Sequence, residues 1–365
     1  MKKTCFSLIV LTLIAMCSAC SHRADEPIPE PDLPDEPIVM PDDPYVTWEE
    51  DTPMNNGSHY GGFSTLMPPD VAPIDGLTVE NFPIIDGSDS TQPLRELLAV
   101  ALTVKYKCLW MPWVTDGSMR LTVSFTDLTE EQIAIYRILY NKLKINNTHP
   151  SYQNLIDGTV DLIICARESS EDEINYANEK GVTLIEKPIA LDSFAFLLNR
   201  RNSVSNLTHE QIVAIYSGQI TQWSQVGGND STIIAYTRNR NSGSQEKMEK
   251  LVMQGVPMAD NPELRGGSMM YPYQSIMAHP NGIAYSPYYY YLNMSDSYDR
   301  VRAICVNGIP PTRKYIRSRE YPFVSEVYAC IRSDEPANSY TRKVFDYLTS
   351  ADGKKIIEAS GYTAN

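Results

Sequence analysis

Apolar and polar positions alternate along the chain with two periods, which predict strands and helices in succession. Short apolar runs predict buried strands at 81–86, 161–166, 182–189, 194–199, 233–238, 282–286, 301–306 and 321–332. Stretches with a helical period begin near residues 93, 129, 207, 242 and 338. Thr129 with Gln132, and Thr208 with Gln211, have the spacing of capping boxes. Strands that alternate with helices predict an α/β fold with a mostly parallel sheet.

The first 75 residues follow neither period. Two lysines precede an apolar run over about residues 6–16, which is too short to span a bilayer and predicts a signal peptide over 1–19. Small residues before Cys20 are typical of a bacterial lipobox, so we expect lipidation of Cys20, with ordinary secretory cleavage as the alternative. Residues 20–75 are rich in proline and acids, which predicts an extended tether.

The remaining residues, roughly 300, are enough for two lobes. A formal net charge of −14 and a pI of about 4.9 argue against nucleic acid and anionic membrane surfaces as partners. Contact with the membrane is therefore expected through the lipid only. The cysteines of the body have no zinc-site spacing, and disulfides and buried free thiols are both open for Cys108, Cys165, Cys305 and Cys330.

Three loops place hydroxyl side chains immediately before predicted helices. A single Ser or Thr in this position is usually just a helix cap, but the first-turn N–H groups of a helix also bind anions. The third loop adds an arginine, whose planar fork can hold two oxygens of a tetrahedral oxyanion. Together the loops predict an oxyanion site with the candidate ligands Ser90, Thr91, Thr148, Arg238, Ser242, Gly243 and Ser244.

Five segments resemble the substrate-binding proteins of phosphate ABC transporters, in the type II periplasmic binding protein superfamily. They are IDGSDSTQPL (85–94), LIDGTVDLI (155–163), LTHEQIVAIYSGQITQWSQVGG (207–228), RNRNSGSQ (238–245) and GIAYSPY (282–288). The resemblance implies that Thr91, Thr148, Arg238, Ser242, Gly243 and Ser244 fall on phosphate ligands of the family.

The resemblance also implies an architecture and a role. It implies two doubly wound lobes, joined by hinge strands near 191–194 and 284–288, that close over phosphate. Lobe 1 is expected to comprise 76–191 and 286–365, and lobe 2 to comprise 192–285. The expected protein is a periplasm-facing, lipid-anchored monomer of the cell envelope, without cofactor or metal, that delivers phosphate to an ABC transporter permease.

One departure from the family pattern leaves the anion open. The family has an aspartate shortly after the strand at 161–166, which accepts the proton of monohydrogen phosphate and so excludes sulfate. This chain has Ala166, Arg167 and Glu168 there, which makes Arg167 and Glu168 candidates for selectivity. The alternative function is that of an oxyanion sensor or surface scavenger not coupled to uptake.

A hydrolase is the rival function class. His149 is close in sequence to Ser151, and either Ser151 or Ser242 could pair with it. The chain has neither a Gly-x-Ser-x-Gly elbow nor an HExxH motif. We therefore expect a binding protein and not an enzyme, with His149 shaping the second loop.

Overall fold

The computed structural model describes residues 51–54 and 64–365, apart from 114, 116, 296, 298 and 299. The predicted signal peptide, Cys20 and most of the predicted tether lie outside the described residues. In the part of the chain that is described, no helix has the length and apolar character needed to cross a membrane.

The described residues form fifteen strands and eleven α-helices. The strands are β1 (Thr65–Leu66), β2 (Ile85–Gly87), β3 (Cys108–Pro112), β4 (Met119–Val123), β5 (Leu162–Cys165), β6 (Leu184–Asn199), β7 (Asn206–Leu207), β8 (Ile234–Ala235), β9 (Thr237–Arg238), β10 (Arg265–Gly266), β11 (Gly282–Pro287), β12 (Val301–Ala303), β13 (Cys305–Val306), β14 (Val324–Arg332) and β15 (Thr363–Ala364). The helices are α1 (Gln92–Leu102), α2 (Glu130–Tyr140), α3 (Thr148–Ile156), α4 (Glu171–Lys180), α5 (His209–Tyr216), α6 (Gly243–Lys247), α7 (Tyr271–Ala278), α8 (Tyr288–Asn293), α9 (Arg313–Arg317), α10 (Tyr340–Tyr347) and α11 (Ala351–Ala359).

The long strand β6 runs through both lobes and joins them. Strands β2, β5, β14, β6, β11 and β8 follow one another across the main sheet, and β12 and β15 also pair with β6. Partners of β6 change from β14 to β11 between Ser193 and Phe194, inside the predicted hinge segment. The sequence predicted two strands here, at 182–189 and 194–199, and the structure corrects this to one.

The sheet is mixed, not mostly parallel as predicted. β2 pairs with β5, and β11 with β8, in parallel, whereas β14 and β6 are antiparallel to their neighbours. The difference arises because β14 runs antiparallel to both of its neighbours, β5 and β6, and β6 also runs antiparallel to β11. Pro188 fits into β6 because the register with β14 shifts at Val327 and Tyr328, and an irregularity of this kind tolerates proline.

Separate apolar cores lie on the two sides of the partner change, so the α/β fold with two lobes is confirmed. The core of lobe 1 packs α1, α8, α10 and α11 against the first part of the sheet. The core of lobe 2 is built around Phe194, Phe196, Trp223 and Tyr285. It also includes Tyr321 and Phe323, from a stretch that the sequence assigned to lobe 1. The predicted lobe boundaries stay a prediction.

Part of the predicted tether packs on the body. β1 pairs with β3, Val71 is buried in the core of lobe 1, and the N–H of Met54 donates to Asn293 Oδ1 at 2.9 Å. Composition alone suggested an extended segment as far as residue 75. A few apolar side chains and a strand edge are enough to dock its described parts.

Several local predictions are confirmed. Both bonds of the capping box are present at Thr129 with Gln132 and at Thr208 with Gln211. The helix predicted from Ser242 forms as α6 and continues as a π-helix over Met248–Met253. The four cysteines left open are all buried, and Cys108, Cys165 and Cys330 are free thiols.

Candidate functional site

A cavity of about 300 Å³ lies between the two lobes, where the three hydroxyl-bearing loops meet. Its wall combines the turn after β2, the start of α3, the end of β5, and the loop that joins β9 to α6. Six of the seven predicted ligands line this cavity: Ser90, Thr148, Arg238, Ser242, Gly243 and Ser244.

The first loop, which follows β2, is held in place by hydrogen bonds to a buried carboxylate. Asp86, at the end of β2, accepts hydrogen bonds from the N–H of Gly87 at 2.8 Å and from the side chains of Asn146 and Asn154 at 2.8 and 2.9 Å. Gly87 is required because a Cβ there would lie 1.9 Å from the carbonyl oxygen of Ile164. This packing ties the turn after β2 to the start of α3.

Two buried hydroxyls connect the first and second loops. Ser88 Oγ and Thr148 Oγ1 are 2.7 Å apart, and Ser88 Oγ also accepts the N–H of Ala166 at 2.9 Å. One hydrogen bond between two hydroxyls uses one of their two hydrogens, whichever group donates. When Ser88 donates to Thr148, the hydroxyl hydrogen of Thr148 has no acceptor among the described residues and is available to a ligand.

The third loop turns sharply, so that Arg238 and the start of α6 both face the cavity. Asn241 has a φ of 65°, a left-handed conformation that asparagine tolerates, and Ser242 caps α6 by accepting the N–H of Gln245 at 3.1 Å. Thr148 and Gly243, from opposite lobes, touch: a Cβ on Gly243 would lie 2.7 Å from Thr148 Oγ1. Glycine therefore allows the lobes to approach.

Arg238 is a buried cation held by neutral groups. Its side chain donates to the carbonyls of Gly266 and Gly267 at 3.2 and 3.3 Å and to Met269 Sδ at 3.2 Å. Only 3% of the residue is exposed, and no carboxylate lies within 4.0 Å among the described residues. Burial lowers the pKa of Arg238 from its usual value, yet a guanidinium stays charged. The arrangement favours an anionic ligand.

Asp89 is the one acidic side chain that the described part of the cavity wall contains. Its Oδ1 lies 2.6 Å from Nη1 of Arg120, which is itself buried. The negative charge of Asp89 is therefore matched within the protein, and the charge of Arg238 is left for a ligand.

Three predicted site residues face elsewhere. Thr91 is buried, and its hydroxyl donates to the carbonyls of Ser88 at 2.8 Å and Ile164 at 2.6 Å. Arg167 binds Glu173 through two contacts of 2.7 Å. Glu168 forms an ion pair with Lys250 in a neighbouring cavity. Neither candidate for selectivity lines the oxyanion cavity, and each has a partner of opposite charge.

The proposed role of His149 in shaping the second loop fits its contacts. His149 Nδ1 lies 2.9 Å from Glu173 Oε1, and Ser151 Oγ donates to the carbonyl of Asn147 at 2.9 Å. In the described part of the chain, His149 makes no hydrogen bond with Ser151 or Ser242. These two candidate pairs of nucleophile and base are therefore not formed.

Sequence reasoning missed Ser88, Asp89 and Lys247, which also line the cavity. Lys247 had a usable signal, since it lies three residues after Ser244 and so on the same face of a helix. Ser88 and Asp89 were adjacent to predicted ligands. Gly267 and Met269 had no signal, since a distant segment brings them to Arg238.

A sequence profile described as a PBP superfamily domain matches residues 140–352, more than half of the chain. The chain belongs to the PBP superfamily. It is similar to the phosphate-binding protein PstS of Borreliella burgdorferi, with 24% identity over 246 residues, 61% of this chain and 82% of the relative. It is also similar to PstS of Bacillus subtilis, with 26% identity over 192 residues, 51% of this chain and 61% of the relative.

Solved structures agree with this PBP fold. A substrate-binding protein of Clostridium perfringens assigned to phosphate ABC transport, solved with phosphate bound, matches with a TM-score of 0.56 and 21% identity, covering 77% of this chain and 98% of the other. An ABC-type phosphate transport receptor from Vibrio cholerae matches with a TM-score of 0.52 and 23% identity, covering 76% and 98%. The resemblance stated from the sequence is confirmed.

Proposed function

We propose that this protein binds inorganic phosphate, or a similar tetrahedral oxyanion, between its lobes and delivers it to an ABC transporter permease. The observation that carries the proposal is the buried guanidinium of Arg238, which has no carboxylate within 4.0 Å among the described residues and faces hydroxyls from both lobes. Leaving such a charge without a counter-charge is costly, and a bound oxyanion supplies one. The similarity to proteins named for phosphate binding supports the choice of ligand.

The donors around the cavity are sufficient for useful affinity. Hydrogen bonds to a charged group contribute about 1.5–3 kcal/mol each. Arg238, one hydrogen of the Ser88–Thr148 pair, and the hydroxyls of Ser90, Ser242 and Ser244 supply several. These offset the cost of lobe closure and leave roughly the 8 kcal/mol that micromolar binding requires. Binding without chemical change is the proposed activity.

The proposed location is the outer side of a cell-envelope membrane, with Cys20 carrying the lipid and the protein acting as a monomer. The predicted signal peptide and lipobox support this. Metabolic labelling with an alkyne fatty acid tests it: the native chain should incorporate label, and Cys20→Ala should not. Labelling that survives the substitution would move the anchor elsewhere.

Calorimetric titration of the purified protein with phosphate and with sulfate tests the ligand. We expect phosphate binding that Arg238→Ala weakens by well over tenfold, with Arg238→Lys intermediate because lysine keeps the charge but loses the fork. Arg342→Ala, which removes an arginine from α10, should leave the affinity unchanged. Unchanged affinity in Arg238→Ala would refute the site, and binding of neither anion would favour the sensor or scavenger alternative.

A further inference from the structure

Lys247 is the second buried cation of the oxyanion cavity. It lies on α6 three residues after Ser244 and is only 4% exposed. It lines the same cavity as Arg238 and also the larger neighbouring cavity, which contains Ser325. Lysine is rarely buried to this extent without a partner of opposite charge. Its position therefore calls for an explanation beyond packing.

The ammonium group of Lys247 has donors to spare. Nζ donates to Ser325 Oγ on β14 at 2.8 Å, a contact that crosses from lobe 2 to lobe 1. An ammonium has three donors, and the described residues supply no other acceptor and no carboxylate within 4.0 Å. The Nζ group thus lies at the junction of the lobes with hydrogens available to a ligand that contacts both.

We propose that Lys247 is a second cationic ligand of the oxyanion, so that the site takes doubly charged tetrahedral oxyanions in preference to singly charged ones. This inference rests on the proposed function. Two buried cations, Arg238 and Lys247, face the cavity, and Arg240 also lines it but is exposed to solvent. The one acid on the described wall, Asp89, is paired with Arg120, and Asp192, which acts on Lys247 from outside this wall, is more than 4.0 Å from it. A ligand with two negative charges matches the two cations.

Neighbouring charges decide how Lys247 responds to pH. Burial lowers the pKa of Lys247 to about 8, Asp192 on β6 acts to raise it, and Arg167 acts to lower it. A bound dianion favours the protonated lysine and raises its pKa above that of the free protein. The contribution of Lys247 to affinity is therefore fully present below pH 8 and is lost as the pH rises above that value.

Titration of the purified full chain at pH 7 with phosphate, sulfate and perchlorate tests the inference, since perchlorate is tetrahedral but singly charged. The native protein should bind at least one dianion more tightly than perchlorate. Lys247→Met should weaken dianion binding by about tenfold to a hundredfold, the range of one charge-assisted hydrogen bond. The affinity for perchlorate should fall by a smaller factor than the affinity for dianions. Lys354→Met, an exposed lysine on α11, is the control for loss of one charge and should change nothing.

Lys247→Arg allows a measurement, proton uptake on binding, that would not change if the role of Lys247 were purely structural. At pH 8.5 the native protein should take up protons on binding, measured by calorimetry in two buffers of different ionisation enthalpy. Lys247→Arg should bind dianions without this uptake, because arginine is already charged. This measurement also tests whether Lys247 is a ligand if Lys247→Met does not fold.

The outcomes separate the two proposals. If the native protein binds none of the three anions, the proposed function fails, and this inference with it. If Arg238→Ala loses binding while Lys247→Met stays within about twofold of the native affinity, the proposed function stands and this inference is wrong. Proton uptake that is equal in the native protein and Lys247→Arg would also overturn it.

Discussion

Two neighbouring cavities at the lobe junction contain the same kinds of charged side chain but differ in how the charges are paired. In the larger, of about 730 Å³, Lys250 pairs with Glu168 and Arg319 with Glu326. In the oxyanion cavity, Arg238, and Lys247, which lines both cavities, have no carboxylate within 4.0 Å among the described residues. Cations in direct contact with a carboxylate hold parts of the chain together, whereas buried cations with no carboxylate in contact are available to a ligand.

The largest effect should come from breaking a matched pair that is buried. Glu173 is fully buried and binds Arg167 through two contacts of 2.7 Å. Glu173→Gln should lower the free energy of unfolding by about 3–5 kcal/mol, because the charge of Arg167 stays buried without a partner. Urea unfolding measures this, with the exposed Glu171→Gln of the same helical turn as control.

The pH dependence of that stability has a definite sign. Burial would raise the pKa of Glu173, but the hydrogen bonds and charge of Arg167 bring it below the usual value. The contribution of Glu173 is therefore present at neutral pH and is lost as the pH falls through its lowered pKa. Glu173→Gln should flatten the acid side of the stability profile, and an unchanged profile would show that the pair contributes little.

Preventing contact between the lobes should affect binding more than folding. A Cβ on Gly243 would lie 2.7 Å from Thr148 Oγ1, which is buried and hydrogen-bonded to Ser88. Gly243→Ala should weaken phosphate binding by about tenfold, equivalent to about 1.4 kcal/mol. Gly267 lines the same cavity, but a Cβ there would have nothing within 4 Å. The phosphate affinity of Gly267→Ala should therefore stay within about threefold of the native value. Equal effects of the two substitutions would contradict the closed-lobe explanation.

A substitution of Thr91 tests whether its hydroxyl binds the ligand or only stabilises the fold. Its hydroxyl donates to two backbone carbonyls, so Thr91→Val should cost about 1 kcal/mol of stability and change phosphate affinity little. Thermal unfolding and calorimetry on the same preparation measure both. A large loss of affinity with normal stability would restore Thr91 as a ligand, as the resemblance to the family implied.

The smallest effect should come from the exposed matched pair. Glu168 and Lys250 are both substantially exposed, and exposed ion pairs contribute at most about 1 kcal/mol. Glu168→Gln should therefore leave the ratio of phosphate to sulfate affinity unchanged. A shift in that ratio would return Glu168 to the selectivity role that the sequence suggested.

The sequence by itself determined the local features of this protein. Capping boxes at Thr129 and Thr208, the buried strand β5 and the hydroxyl-bearing loops were all predictable, because cap and strand signals act over a few residues. Arg238 and the loop that follows it were also found from the local pattern, and the family segments agreed with that assignment. These features were enough to name six of the residues that line the cavity.

Only the tertiary structure decided which charges are matched and which are free. Lys247 meets Ser325 across 78 positions of sequence, and Lys250 meets Glu168 across 82. Chain folding likewise made β6 one strand, because β14 pairs with it as far as Ser193 and β11 pairs with it from Phe194 onward. Pairing depends on the position of distant segments, which no local pattern specifies, so the sequence supplied the candidate charges and the fold selected those that face the ligand.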